Sequence, residues 1–96
     1  MTKQGLNDLK ELANEIDELR EQAERKLARL LNLYQEDEDV EDPEAHDSLT
    51  KAVEYLHQGA WRLGCAETKI REARKLEKAR IDFYEGLLRK QDNDKE

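Results

Sequence analysis

The sequence predicts an all-α protein, a long antiparallel two-helix hairpin with coiled-coil-like packing that dimerises into a helical bundle. Apolar residues recur at steps of three and four in two segments, and a strongly acidic stretch separates the segments. Charged residues make up 43% of the 96 residues and apolar residues 36%, against about 45–50% apolar residues in ordinary globular proteins. This balance predicts a single helical domain over residues 1–96 with a thin core.

The first segment predicts one amphipathic helix over about residues 6–35. Its apolar positions keep the three-four spacing, and no glycine or proline interrupts them. They are Leu6, Leu9, Leu12, Ala13, Ile16, Leu19, Ala23, Leu27, Leu30, Leu33 and Tyr34. Lys26 stands where this spacing requires another leucine, so we expect it on the seam between the helices with its ammonium group in water.

Residues 36–47 predict an acidic connector. The segment holds eight carboxylates and no lysine or arginine, and such dense like charge opposes helical packing. Asp42 and Pro43 predict the start of the second helix, with Asp42 as N-cap and Pro43 at the first helical position. The second helix is then expected over about residues 43–90, followed by a disordered tail at 91–96.

Small and large side chains alternate at heptad spacing along the second helix. The small series is Ala45, Ala52, Gly59, Ala66 and Ala73, and the large series is Leu49, Leu56, Leu63 and Ile70. Both series are predicted to face the first helix, because small side chains let two helix axes approach closely. The pattern stops at Glu77 and Arg80, which predicts a break in the heptad register there.

The second helix is the longer one, so its end is predicted to project beyond the hairpin. The start of the first helix is expected to reach about residue 77, which leaves apolar residues beyond it without a partner in the same chain. These residues are Ile81, Phe83, Tyr84, Leu87 and Leu88. Two arrangements would cover them: a second copy of the chain, or a break near Gly59 that folds the last part back into a three-helix bundle.

Trp61 is the single tryptophan and falls on the face of the second helix opposite the predicted seam. His57 and Cys65 lie one turn away on either side of it. Solvated helix faces rarely carry such residues, and tryptophan is enriched at interface hot spots. We therefore predict a partner-binding face, with a foreign protein, another copy of the chain and a folded-back third helix all open as its cover. The predicted partner-binding residues are Trp61, His57, Cys65, Phe83, Tyr84, Leu87 and Leu88.

Glu54 and His57 have the Glu-x-x-His spacing that supplies ligands in di-iron four-helix bundles. One such pair arises readily by chance in a glutamate-rich helix, so a di-iron protein is the remote alternative. His46 in the connector lacks the ligand spacing of an EF-hand, and Cys65 has no activating group beside it. The sequence predicts no metal site and no cofactor.

The sequence carries no enzyme signature. It lacks a phosphate-binding glycine loop, His-Glu-x-x-His, Gly-x-Ser-x-Gly and Cys-x-x-Cys, so we expect no catalytic residues. No apolar run reaches the ~18–20 residues of a membrane span, and the single cysteine excludes an intramolecular disulfide. These features predict a cytoplasmic protein without a membrane partner.

The net charge of −7 disfavours direct binding to nucleic acid. A basic stretch at residues 69–80 has glutamates interleaved at helical spacing, which predicts ion pairs within the helix. The same acidity allows an alternative function, inhibition of a DNA- or RNA-handling enzyme by mimicry of nucleic acid. The connector and four carboxylates of the first helix would supply the charge, namely Asp17, Glu18, Glu21 and Glu24.

Two short stretches resemble parts of known helical families. The stretch Trp61-Arg62-Leu63-Gly64 resembles the Trp-x-Gly motif of type VII secretion hairpins, although its spacing is one residue longer and it lies within a helix. The apolar series over residues 52–73 resembles the second helix of the small subunit of exonuclease VII. Neither likeness carries functional residues, so the function predicted is stoichiometric protein–protein binding, as an adaptor, an assembly factor or an inhibitor, by a protein that forms homo-oligomers.

Overall fold

The computed structural model is an extended hairpin of two antiparallel helices, which confirms the predicted fold class. It describes the backbone of residues 1–36 and 41–94 and the side chains of residues 1–33 and 41–91. Helix α1 is Lys3–Glu36 and helix α2 is Pro43–Asp94. The rod measures 83 × 15 × 14 Å. Residues 37–40 of the predicted connector lie outside the described residues.

Side-chain caps begin both helices. Thr2 Oγ1 accepts a hydrogen bond of 3.0 Å from the Gly5 amide, and Asp42 Oδ1 accepts one of 2.9 Å from the Glu44 amide. Each cap satisfies an N–H group that has no partner within the helix. The predicted role of Asp42 as N-cap, with Pro43 in the first turn, is confirmed.

Helix α2 is continuous through Gly59 and Gly64. None of the described glycines has a positive φ angle, so the backbone offers no turn at either position. The alternative of a three-helix bundle broken near Gly59 is therefore wrong. Residues 91–94 are also helical, so the predicted disordered tail began too early, and residues 95 and 96 lie outside the described part of the chain.

The seam of α1, meaning the positions that face α2, repeats strictly in heptads. Its members are all buried or half-buried: Leu6, Leu9, Ala13, Ile16, Arg20, Ala23, Leu27 and Leu30. The polar residue on this seam is Arg20, whereas Lys26 is exposed. The expectation for Lys26 was wrong. Lys26 shares the heptad position of Leu12 and Leu33, whereas the position of Leu6 and Leu27 faces α2.

The seam of α2 contains the predicted large residues but not the predicted small ones. Leu49, Leu56, Leu63 and Ile70 are half-buried as expected. They alternate with a second series that is also buried or half-buried: Val53, Ala60, Glu67, Arg74 and Ile81. Ala45, Ala66 and Ala73 are exposed, whereas Ala52 and Gly59 are half-buried beside the seam. The small series therefore flanks the seam and does not form it.

Polar contacts between the helices explain which flank of α2 meets α1. Arg74 Nε donates a hydrogen bond of 3.0 Å to the Leu6 carbonyl, and Arg71 Nη2 donates one of 3.1 Å to Asn14 Oδ1. Arg71 and Arg74 both lie on the flank away from the small series. Packing on the small series instead would leave both guanidinium groups without these partners.

The register of α2 continues past residue 77 without the predicted break. Glu77 and Ile81 are both half-buried, and Lys3 Nζ lies 3.2 Å from Glu85 Oε1. The start of α1 therefore reaches Glu85, and the expectation of an unpartnered Ile81 was wrong. The part of α2 that projects beyond this ion pair, residues 86–94, is called the overhang.

Candidate protein-binding surfaces

Trp61 stands at the edge of an open groove on one side of the rod. Its side chain is 69% exposed, and the groove has a volume of about 490 Å³. The groove is lined by Arg20, Glu24, Ala60, Trp61, Gly64, Cys65, Glu67, Thr68 and Lys69. We call this surface the Trp61 groove.

Gly64 shapes the floor of the Trp61 groove. A Cβ atom at this position would lie 3.2 Å from Arg20 Cδ, so the missing side chain leaves room for the arginine. Arg20 Nη2 lies 2.6 Å from Asp17 Oδ1, and Arg20 Nη1 lies 2.9 Å from Glu24 Oε1. An ion-paired arginine is thereby held across the seam under the tryptophan.

The ion pairs change the titration of Asp17 and Arg20. The hydrogen bond from Arg20 lowers the pKa of Asp17, against the opposing effect of desolvation. The hydrogen bonds to Asp17 and Glu24 raise the pKa of Arg20. Because Asp17 and Glu24 share the single positive charge of Arg20, two of the four α1 acids proposed for nucleic-acid mimicry are partly neutralised.

The predicted residues of this face separate into two positions. Trp61 and Cys65 line the groove together, and the Cys65 thiol is free and exposed. His57 is exposed one turn before Trp61 and does not line the groove. Sequence reasoning missed Arg20 as a groove residue, although the polar residue on the α1 heptad at position 20 was a signal.

The predicted aromatic and leucine residues near the end of α2 are exposed. Phe83 and Tyr84 pack edge to face with ring centroids 6.1 Å apart, and the Arg80 guanidinium lies 5.7 Å from the centre of the Tyr84 ring. Leu87 is 43% exposed and Leu88 is 61% exposed. These side chains form a projecting apolar end of the rod.

A second apolar surface was hidden because the apolar series predicted for α1 combined two separate heptad rows. Leu12, Leu19 and Leu33 are 44%, 52% and 54% exposed, and they share one heptad position with Lys26. The seven-residue spacing of these leucines was the signal, since it forms a row separate from the row of Leu6 and Leu27. We call the side of the rod that carries this row the leucine face.

The charged groups of α2 form intrahelical pairs, as predicted for the basic stretch. Arg71 pairs with Glu67, Lys69 with Glu72, and Arg80 with Glu77. Glu54 and His57 are exposed. Within the described residues, no three His, Cys, Asp or Glu side chains converge on a position that would hold a metal ion.

Comparisons with known proteins add no family to this geometry. No protein-family model matches the chain, and no curated protein or solved structure shows significant similarity to it. Neither of the helices, as far as they are described, has a stretch long and apolar enough to cross a membrane.

Proposed function

We propose that this protein acts by stoichiometric binding of a protein partner at the Trp61 groove, as an adaptor, an assembly factor or an inhibitor. The observation that carries the proposal is the 69% exposure of the single tryptophan at the edge of a groove. Exposed tryptophan has a large apolar surface that favours burial, and tryptophan is the residue type most enriched among interface hot spots.

The groove favours a partner that inserts an apolar side chain. Trp61, Ala60 and Cys65 supply an apolar edge, and charged side chains surround it. This is the arrangement of a binding hot spot, in which a polar rim excludes water from an apolar anchor. An amphipathic helix or an extended peptide with one large apolar residue matches this chemistry.

The groove also favours binding over catalysis. Its arginine, Arg20, is held between Asp17 and Glu24 and therefore supplies structure to the groove floor. The groove is open to solvent along the rod, whereas catalytic pockets enclose most of a small substrate. A protein partner covers an open surface of this kind with its own side chains.

Affinity purification from the cells that produce the protein, followed by fluorescence titration, tests the proposal. We expect the wild-type chain to retain a partner that the Trp61→Ala variant does not retain. In the titration, the Trp61 emission should shift to shorter wavelength as the purified partner covers the ring. Leu31→Ala is the control, since Leu31 is an exposed large apolar residue that does not line the groove.

The proposal fails if Trp61→Ala retains the same proteins in the same amounts as the wild type. It also fails if a retained partner saturates the chain without a shift in Trp61 emission. Far-ultraviolet circular dichroism of the variant should show unchanged helicity, because an exposed tryptophan contributes little to the packing of the two helices.

A further inference from the structure

The row of exposed leucines on α1 and the row of small residues on α2 lie on the same side of the rod. Lys3 and Glu85 meet on one flank of the seam, and the Trp61 groove opens on that flank. The heptad position of Leu12 and Leu19 places these leucines of α1 on the other flank of the seam. The small series of α2 lies on that other flank as well. The leucine face is therefore bounded by a row of leucines on α1 and a row of alanine and glycine on α2.

Further apolar side chains extend the leucine face along α2. The outer rim beside the small series carries Tyr55, Leu76 and Phe83, which are 67%, 72% and 64% exposed. Arg80 interrupts the row of small residues, and Leu87 occupies the same heptad position one repeat later, in the overhang. One side of the rod thus combines most of the exposed leucines and aromatic rings, apart from Trp61.

We propose that the leucine face is the interface of a homodimer, in which two hairpins pack side by side as a four-helix bundle. The two-fold axis runs parallel to the rods, so that both overhangs lie at the same end. The proposal is independent of the proposed function, because the Trp61 groove lies on the other side of the rod and stays accessible in the dimer.

The surface area of the chain supports a second copy as the occupant. A compact monomer of this mass exposes roughly 5,700 Å², whereas this chain exposes 8004 Å². Only Leu6, Ala13 and Ala60 are buried among the described apolar residues. The leucine face spans roughly 60 Å from Ala45 to Leu87 at 1.5 Å per residue. With the 15 Å width of the rod, its area is comparable to the ~800 Å² that each partner contributes to a stable interface.

The sizes of the side chains determine the direction of the two-fold axis. The contacts of Arg71 with Asn14 and of Gly64 with Arg20 relate the heights of the two helices along the rod. Counting from these contacts places Leu12 near the height of Ala73, Leu19 near that of Ala66 and Leu33 near that of Ala52. When the two-fold axis runs along the rods, α1 of one copy packs against α2 of the other copy. Residues at the same height along the two rods then face each other. Each leucine of the row in one copy then meets an alanine of the other copy, and Lys26 meets Gly59, so that a large side chain faces a small residue in each of these layers.

The other two-fold arrangement, with the hairpins pointing in opposite directions, loses this fit. It places α1 against α1 and α2 against α2, so that the row of large side chains opposes itself and the row of small residues opposes itself. Large against large forces the helices apart, and small against small leaves a void. Size complementarity therefore favours the parallel arrangement.

Sedimentation of paired leucine variants tests the face. Interfaces of this size have dissociation constants in the micromolar range or below. At a chain concentration of about 100 µM, the wild type should therefore sediment as a dimer. Leu19→Lys should raise the dissociation constant by about a hundredfold or more, since each dimer loses two buried leucines. Leu31→Lys, at an exposed leucine on the opposite flank of α1, should leave the dissociation constant within about threefold of wild type.

A size exchange across the interface provides a variant that introduces no charge. Ala66→Leu alone should weaken the dimer, because two leucines then meet at one level. The double variant Leu19→Ala with Ala66→Leu should restore the dimer, because a leucine still meets an alanine at this height and the two side chains have only exchanged helices. Both positions are exposed in the single chain, so the hairpin fold should persist, and circular dichroism verifies this.

A distance measurement tests the direction of the axis. Gly86→Cys in a Cys65→Ser background carries one spin label, and a side chain at Gly86 meets no atom within 4 Å. Parallel hairpins place the two labels within about 30 Å of each other, across the bundle, whereas opposed hairpins separate them by roughly 60 Å along it. A chain that remains monomeric overturns the dimer, equal effects of Leu19→Lys and Leu31→Lys overturn the face, and the longer distance overturns the axis.

Discussion

Gly64 on α2 leaves room for Arg20, the charged residue that α1 places on the seam between the two helices. A Cβ atom at Gly64 would lie 3.2 Å from Arg20 Cδ. Most real Cβ contacts are wider than this, so an added methyl group requires Arg20 to move. Arg20 is held by two hydrogen bonds to Asp17 and one to Glu24, and its movement would disturb all three.

Gly59→Ala and Gly64→Ala should therefore differ in their effects on stability. An alanine at Gly59 meets no atom of the chain within 4 Å, so it should raise the free energy of unfolding by about 0.5–1 kcal/mol through helix propensity alone. An alanine at Gly64 gains the same propensity but displaces Arg20, so its net gain should be smaller or negative. Urea denaturation of both variants at one protein concentration measures the difference. Equal stabilisation would mean that the contact with Arg20 has no energetic effect.

Asp17 should make the stability of the hairpin sensitive to acid. The Arg20 hydrogen bond lowers the pKa of Asp17 in the folded state, so the unfolded state binds a proton more readily. Stability from this group is present above its unfolded pKa and is lost as the pH falls through the lower folded pKa. Asp17→Asn should flatten the decline in the free energy of unfolding from about pH 5 downward.

The direct measurement for Asp17 is its carboxyl pKa by NMR in the wild type and in Arg20→Gln. Removing the guanidinium should move the pKa of Asp17 upward, since the largest cause of the lowering is then absent. An unchanged pKa in Arg20→Gln would show that another group holds the carboxylate ionised.

Arg74 should stabilise the hairpin through its hydrogen bond to the Leu6 carbonyl. Arg74→Met keeps the aliphatic stem but removes the 3.0 Å bond from Arg74 Nε, and we expect a loss of about 0.5–1.5 kcal/mol. Lys75→Met is the matched control, because it removes the same charge from an exposed position one residue further along α2. Thermal unfolding of the two variants provides the comparison, and equal losses would assign the effect to charge alone.

Much of the fold was predictable because local signals agree with one another. The three-four spacing of apolar residues predicted both helices, and Asp42 with Pro43 predicted the start of the second. Leu49 and Ile70 were placed correctly on the seam, since a large apolar heptad faces a partner helix in either register. Trp61 was placed correctly away from the seam for the same reason.

Residue spacing did not predict which row beside the large heptad of α2 contacts α1. Leu56 has small residues on one flank and mixed residues on the other, and both flanks continue a heptad. The hydrogen bonds of Arg71 and Arg74 to α1 select the mixed flank, and they depend on residues that are more than fifty positions away in the chain. The leucine face follows from that choice, since it contains what the seam does not use.

The sequence by itself determined two helices, their direction, their caps and a chain too polar for a thick core, because each of these follows from neighbouring residues or from composition. Only the tertiary structure decided that Arg20 lies on the seam, that Ala66 lies outside it and that α1 reaches Glu85. The physical reason is that the large heptad of α2 has a continuous row of residues on each flank, so that heptad spacing alone does not determine the rotation of one helix against the other. A few polar contacts across the seam then determine the rotation, and with it the surfaces that remain for partners.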